Sequence, residues 1–228
     1  MQLFYSEKIS SSLLLSKEES NHCIKVLRKK INDIIFVTDG NEFLYKCKIT
    51  KIENNYVQVN IITKTQEKCQ NKIELAISFP KQRNRIDWII EKATEIGVNI
   101  ITPLICENSE RTKVNIERMN KIAISSMKQS LRTYLPKISQ IQTFSKYVKK
   151  SQYEQKYIAH CKPDSNKQKI ENLKAKTACV LIGPEGDFSE GEIKIANDFN
   201  FKSITLSSKR LRTETAAIVA CYQLTHKK

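Results

Sequence analysis

The hydrophobic residues of this chain change period once, near residue 70, and that change limits the chain to a strand-rich module followed by an alternating α/β module. Strands alternate their two faces, whereas helices return to one face every three to four residues. Before the change, Phe43, Tyr45, Cys47 and Ile49 alternate with Lys46 and Lys48, and Val57, Val59 and Ile61 alternate in the same way. Ile34-Ile35-Phe36-Val37 leads into the turn signal Asp39-Gly40-Asn41, and Asn54-Asn55 turns the chain again. Ser16-Lys17-Glu18-Glu19 is a capping box opening a helix that carries His22 and Val26. These signals predict a β-meander with one wet face, part of a small barrel. The polar stretch Thr63 to Asn71 marks a boundary between domains 1–70 and 71–228.

After the change, an apolar strand at Ile73–Phe79 precedes a helix with Ile86, Ile89, Ile90, Ala93 and Ile96 on one face and Gly97 as its stop. Strands are expected near Ile100–Leu104, Tyr157–His160, Ala178–Ile182 and Ile204–Leu206. Helices are expected over Ile116–Leu131, from Ser189 through Phe199, and over Ala216–Leu224. That order predicts an α/β domain with a mostly parallel sheet. The Lys/Gln/Asn-rich stretches Ser145–Lys156 and Asp164–Lys176 are expected to be exposed helix faces or loops.

Composition narrows the class. At 40% hydrophobic and 28% charged, the chain is no wholly disordered polymer. No apolar run approaches the roughly 20 residues of a membrane-spanning helix, and Met1–Glu7 lacks the features of a signal peptide, so a cytoplasmic address is expected. The seven cysteines form no close pair and are expected to be reduced small hydrophobes. With His22, His160 and His226 far apart, no metal is expected. The 39 Lys and Arg against 24 Asp and Glu give a net charge of +15, which favours a polyanionic partner, nucleic acid first. Only eight of those cations are Arg, and where a Lys-rich chain keeps Arg, a planar fork for phosphate or carboxylate is suspected.

Ligands of open α/β sheets sit beyond the carboxyl ends of the strands. The loop Gly183-Pro184-Glu185-Gly186-Asp187-Phe188-Ser189 has no phosphate-binding pattern, and its two acids disfavour phosphate while tolerating a cation such as a sulfonium. In Leu206-Ser207-Ser208-Lys209-Arg210-Leu211-Arg212-Thr213-Glu214-Thr215, Thr213 reads as an N-cap and Glu214 suits the helix dipole. Arg210 and Arg212 oppose that dipole and are expected to serve a ligand.

These two segments resemble the GPEGGFS and LGxRILRTETAA motifs of the RsmE family of small-subunit ribosomal RNA methyltransferases. The resemblance covers nearly the whole chain. His22 to Arg28 is similar to HxxxVLR, Thr38-Asp39-Gly40 to the family's D-G turn, and Lys92-Ala93-Thr94-Glu95-Ile96-Gly97-Val98 to KxxELGV. Ile101–Leu104, Ser109-Glu110-Arg111 and Gln129–Arg132 with Pro136 match I-x-P-L, S-E-R and Q-S-x-R followed by P. The resemblance implies a SPOUT-type knotted methyltransferase domain behind a PUA-like β-barrel, S-adenosylmethionine as cofactor, and a homodimer. It implies methylation of the ring nitrogen at position 3 of a uridine in 16S ribosomal RNA, with naked RNA and the assembled subunit both open as substrate.

Carried over, Gly183, Pro184, Glu185, Gly186, Leu206, Ser207, Leu211, Arg212 and Thr215 would line the cofactor site, with His160 on an earlier loop. Arg212 would stabilise the developing uracil anion, and Glu214 would be either a general base or a partner of Arg212. Arg28, Lys81, Arg83, Arg85, Arg111 and Arg132 are the expected RNA-binding cations. The chain departs from the family at Asp187 and Leu131, where glycine is usual, and at Ser207-Ser208-Lys209. Two rival readings stay open: a non-catalytic RNA-binding assembly factor, and a SPOUT methyltransferase acting on another RNA position.

Overall fold

The protein was analysed as a computed structural model that describes residues 2–163, 166–170 and 175–226. The chain divides into two compact units, one of the residues up to Cys69 together with Ile124–Leu135, the other of Gln70–Ala123 and the chain from Pro136 on.

In the first unit, strands β1 (Leu3–Tyr5), β2 (Ile34–Thr38), β3 (Phe43–Glu53) and β4 (Tyr56–Gln66) form one sheet in that order. β1 runs parallel to β2 and the other pairs are antiparallel. The expected alternation holds: Tyr45, Cys47, Ile49, Val57 and Val59 are buried with Phe4 and Ile9, while Lys46 and Lys48 are exposed. Asn54 and Asn55 have φ of 50° and 62°, the left-handed pair a two-residue hairpin turn of this hand requires. Helix α1 (Ile9–Ser12) is followed by α2 (Lys17–Asn21), which runs into a π-helical turn at His22–Val26. Ser16 caps α2, its Oγ accepting from the Glu19 N–H at 3.2 Å, while the Glu19 carboxylate is buried and ion-paired to Lys128.

Lys128 belongs to a segment that the boundary near residue 70 does not assign to this unit. After helix α4 (Ile116–Gln129), residues 133–135 dock on the Thr38–Glu42 turn. Thr133 O accepts from Thr38 Oγ1 and from the Glu42 N–H, both at 3.0 Å, and Leu135 N–H donates to Gly40 O at 2.9 Å. Gly40 has φ 75°, and a Cβ there would meet the Tyr5 ring at 3.0 Å and Leu135 Cβ at 3.1 Å.

The second unit holds a seven-stranded, entirely parallel sheet. Its strands are β5 (Lys72–Ile77), β6 (Ile100–Ile105), β7 (Lys137–Ile138), β8 (Gln142–Thr143), β9 (Gln155–Ala159), β10 (Thr177–Ile182) and β11 (Lys202–Ile204), ordered β11-β9-β10-β5-β6-β7 with β8 also on β6. β5 and β10 are buried almost throughout, as strands covered on both faces must be. Helices α5 (Phe144–Lys150) and α6 (Glu190–Asp198) share one core with Ala76, Leu104, Cys179 and Leu181. Helices α3 (Arg83–Ile96) and α7 (Thr213–Thr225) pack on each other, and α7 packs on β5 and β10.

Several expectations are corrected. β11 ends at Ile204, so Leu206 already lies in a loop. α7 starts at Thr213 and is capped by Arg212, whose extended backbone (φ −70°, ψ 155°) still lets its carbonyl accept from the Ala216 N–H. The Ser145–Lys156 stretch contributes most of α5 and the start of β9; Phe144, Tyr147 and Val148 are buried at helical spacing that the surrounding lysines obscure. In Asp164–Lys176, residues 164–165 and 171–174 lie outside the described residues. Cys69 and Cys161 are exposed, so they do not serve as small core hydrophobes, as the other five do. Among the described residues no helix is long and apolar enough to cross a membrane.

The placement of β11 shapes the whole C-terminal region. It pairs with β9 on one side. On the other, Gln168 of the β9–β10 connection bridges Ile204, donating to Ser203 O at 3.0 Å and accepting from the Thr205 N–H at 2.9 Å. The chain thus runs between β9 and the connection that leaves β9, then returns to the sheet centre as α7.

Three helices end in the same motif, in which a residue of left-handed backbone lets the next N–H reach back over the last turn. The left-handed residue is Gly97 after α3, Asn200 after α6 and Leu131 after α4, with φ of 99°, 62° and 58°. The following N–H groups of Val98, Phe201 and Arg132 reach Ala93 O, Ala196 O and Met127 O at 3.1, 2.9 and 3.0 Å. Leucine is strained in that conformation. Leu131→Gly should therefore be more stable than Leu131→Ala by about 1 kcal/mol, both having lost the same partly exposed side chain. Urea midpoints of the two variants measure this, and equal midpoints would show that the backbone carries no strain.

Candidate functional site

Register brings three loops to one level. Ile182 of β10 lies beside Ala159 of β9 and Ile77 of β5, and Ile204 of β11 also lies beside Ala159. The chain leaves β9, β10 and β11 at one edge of the sheet, and the three departing segments enclose a cavity of about 840 Å³. Of the residues expected at a cofactor site, His160, Gly183, Pro184, Glu185, Gly186, Leu206, Ser207, Leu211 and Arg212 line it. Thr215 and Glu214 do not, whereas Arg85, expected on an RNA surface, does.

The loop after β10 is built around Asp187. Its backbone is left-handed, with φ 65°, and its N–H closes a turn on Pro184 O at 3.0 Å. Its carboxylate offsets the strain by accepting the N–H groups of Phe188 at 2.9 Å and Cys161 at 2.8 Å, which ties this loop to the one after β9. Phe188 is buried against Phe144, and the Ser189–Glu192 capping box then starts α6. Gly186 is needed for space: its φ is not left-handed, but a Cβ would stand 3.1 Å from that of Asn108, whose Nδ2 donates to Gly186 O and Asp187 O at 3.3 and 3.0 Å. Gly183 is likewise packed, its virtual Cβ lying 3.1 Å from the Phe188 ring.

The loop after β11 is more open. Ser207 accepts at its Oγ from the Lys209 N–H at 3.2 Å, and residues 207–210 are exposed. The loop after β9 is held by Lys167, whose Nζ donates to His160 O and Lys162 O, each at 2.6 Å. The buried His160 ring lies 3.1 Å from Ser203 Oγ through Nε2.

The charges divide into a paired group and an open group. Arg85 donates from Nε to Glu214 Oε2 at 2.9 Å and from Nη1 to Glu185 Oε1 at 2.7 Å, and its Nη2 also reaches Glu214. Side-chain exposures of 18% for Arg85 and 14% for Glu214 keep water from screening this contact as it would a surface pair. Burial raises the Glu214 carboxyl, but the Arg85 hydrogen bond, a backbone hydrogen bond and the charges of Arg85 and Arg212 outweigh it and hold the group below its ordinary value. That makes Glu214 a poor proton acceptor at neutral pH. Arg212 is exposed, and among the described residues no hydrogen bond or ion pair engages its guanidinium. The partner of Glu214 is therefore Arg85, on a different helix.

The other expected RNA-binding cations also differ in engagement. Arg28, with φ 52°, and Arg83 are exposed; so is Lys81, which stands 3.5 Å from Glu110. Arg111 is turned inward, donating to Pro80 O at 3.3 Å and to Lys81 O. Arg132 is half-buried, and desolvation lowers its guanidinium pKa from the ordinary value. The sequence signal for Arg85, an arginine kept in a lysine-rich chain, pointed to phosphate or carboxylate equally; the fold supplies two carboxylates.

Comparison with known proteins agrees with this architecture. A family model for an RNA methyltransferase domain matches residues 66–225, and one for an RNA methyltransferase PUA domain matches residues 15–62. The ribosomal RNA small subunit methyltransferase E of Aquifex aeolicus is 32% identical over 96% of each chain, and that of Rickettsia conorii is 31% identical over 94% of this chain and 90% of its own. The crystal structure of a Porphyromonas gingivalis chain superposes with a TM-score of 0.90 at 30% identity, covering 98% of this chain and 97% of that one. A Neisseria gonorrhoeae ribosomal RNA small subunit methyltransferase E solved bound to S-adenosyl methionine superposes with a TM-score of 0.83 at 27% identity, over 97% and 95% of the chains. By these matches along nearly its whole length, the chain belongs to the ribosomal RNA small subunit methyltransferase E family.

Proposed function

We propose that this protein transfers a methyl group from S-adenosylmethionine to the ring nitrogen at position 3 of a uridine in 16S ribosomal RNA. The observation that carries the reading is the cavity at the carboxyl edge of the parallel sheet, with the exposed Arg212 in its wall. The cavity's chemistry suits the cofactor. Ile182, Ile204, Leu206 and Leu211 offer apolar walls to an adenosyl group, and backbone groups of two loops can read its edge. When bound, the cofactor supplies a methyl group activated on a positive sulfur.

The protein's part is positioning and electrostatics. A uracil imide holds its proton at neutral pH, so the nitrogen becomes nucleophilic only as that proton leaves. Arg212, whose guanidinium makes no hydrogen bond among the described residues, is placed to stabilise the negative charge that develops on the ring oxygens. Glu214 is occupied by Arg85 and assigned no proton transfer. The target base must leave its stack to enter the cavity. Phosphate contacts fall to the exposed Arg28, Lys81 and Arg83. The same reading includes a trefoil knot, for which the clamping of β11 between β9 and Gln168 speaks, a homodimer, and a cytoplasmic address where the small subunit is available as naked or assembled substrate.

Mass spectrometry of ribosomal RNA from cells with and without the gene tests the assignment: 3-methyluridine should be lost at one position. Calorimetric titration with S-adenosylmethionine separates the enzyme from a non-catalytic assembly factor, which would bind none. Arg212→Lys should leave cofactor affinity near wild type and lower the single-turnover rate about a hundredfold, partly recovered as pH rises and the uracil ionises unaided. Near-normal turnover in that variant would remove Arg212 from catalysis. Arg83→Gln should weaken RNA binding and reduce its salt slope by about one while leaving cofactor affinity alone. An unchanged slope would take Arg83 off the RNA surface.

A further inference from the structure

Arg85 stands in the first turn of α3, where a positive charge opposes the helix dipole. Its surroundings reverse that disadvantage. Two carboxylates reach it from elements distant in sequence, Glu185 from the loop after β10 and Glu214 from the first turn of α7. The guanidinium meets Glu214 with its Nε and Nη2 edge and Glu185 with Nη1, a division of donors that a planar fork supports and an ammonium does not. Glu185 is 33% exposed, so its half of the bridge is the more screened.

We propose that Arg85 is a positioning residue for methyl transfer: it ties the cofactor loop to the start of α7, fixing the width of the cavity, and it occupies Glu214 so that Arg212 stays available to the substrate. The proposal rests on the reading of the cavity as the methyl-transfer site. Its second half follows from what faces Glu214. Arg85 approaches from α3 and Arg212 from the loop before α7, while Glu185 lies across Arg85 on the loop after β10. With Arg85 removed, Glu214 would keep Arg212 as the other cation whose charge acts on it. While ionised it would draw the Arg212 guanidinium onto itself, releasing it only on taking up a proton, and the ionised form thereby disables the cavity wall. Arg85 thus acts through two other residues and touches neither the methyl group nor the uracil.

The test uses the full chain and the variants Arg85→Gln, Arg85→Lys, Glu185→Gln and the double variant Arg85→Gln/Glu185→Gln. Melting temperature is recorded for each, with cofactor affinity by calorimetry without RNA and single-turnover rate against pH at saturating cofactor. Arg85→Gln should lose about tenfold in cofactor affinity, the effect of one charge-assisted hydrogen bond, and at least as much in rate. Glu185→Gln should weaken the cofactor by less, and the double variant should be no worse than Arg85→Gln, since both changes break one bridge. On the acid limb of the rate profile, Arg85→Gln should regain part of its loss relative to wild type, because Glu214 without its strongest hydrogen bond takes up a proton at higher pH and frees Arg212. Arg85→Lys should return that limb towards wild type while restoring affinity only in part.

The proposal is overturned if a folded Arg85→Gln binds cofactor and turns over within twofold of wild type, or if the losses from Arg85 and Glu185 simply add. It is equally overturned if rate and affinity fall only in step with melting temperature while the pH profile stays fixed, for that describes a brace and nothing more. The underlying reading fails separately, on the wild type alone. Wild-type protein that binds cofactor but methylates no uridine sinks the substrate assignment, while the affinities of the variants still decide whether the bridge holds the cavity. Wild-type protein that binds no cofactor sinks both.

Discussion

The parallel pairing of β10 with both β9 and β5 is the constraint on which the rest depends. A strand buried on both faces has no solvent side to slip towards, because a one-residue shift would exchange the two buried faces wholesale. Fixed register sets Ala159, Ile182 and Ile204 level with one another, and the loops that follow are level in turn. The cavity is therefore a product of the sheet's connectivity more than of any one loop. Helices α3 and α7 add the second element, since their packing brings Arg85 and Glu214 within reach across 129 positions of sequence.

Much of this was legible in the amino-acid sequence because the deciding interactions are local. The alternation around Tyr45 and Cys47, the Asn54-Asn55 turn, the Gly97 stop and the Ser189 cap each depend on neighbours a few residues away, and each appears as expected. Features set by distant partners did not show. Nothing in residues 124–135 announces that they return to the first unit, since their anchors are carbonyls and hydroxyls of the Thr38–Glu42 turn. The apolar residues of α5 were hidden among lysines, and Arg85 was assigned to phosphate because its carboxylates lie 100 and 129 residues away. Motif resemblance gathered the cavity-lining loops where periodicity alone could not.

Asp187 and Leu131 show two ways of living where glycine is usual in the family. Both backbones are left-handed, the conformation that glycine adopts without strain. Asp187 is stabilised by its own side chain, which accepts two backbone N–H groups and joins two loops of the cavity. Leu131 has no such polar group and stands 40% exposed. A change at a loop glycine can thus add a function to the position or merely be tolerated, and the side chain's hydrogen-bonding capacity decides which.

The clamping of β11 between β9 and Gln168 also constrains the order of events during folding. Lys202–Ile204 is made after both of the stretches that grip it, so neither grip can close fully before it arrives. Until Lys202–Ile204 is in place, the backbone groups of Gln168 and of the matching edge of β9 must find their hydrogen bonds in water. Such a step cannot begin from local contacts and is expected to be slow. Once completed, the same geometry works in the opposite direction: drawing β11 out breaks its pairing with β9 and with Gln168 together.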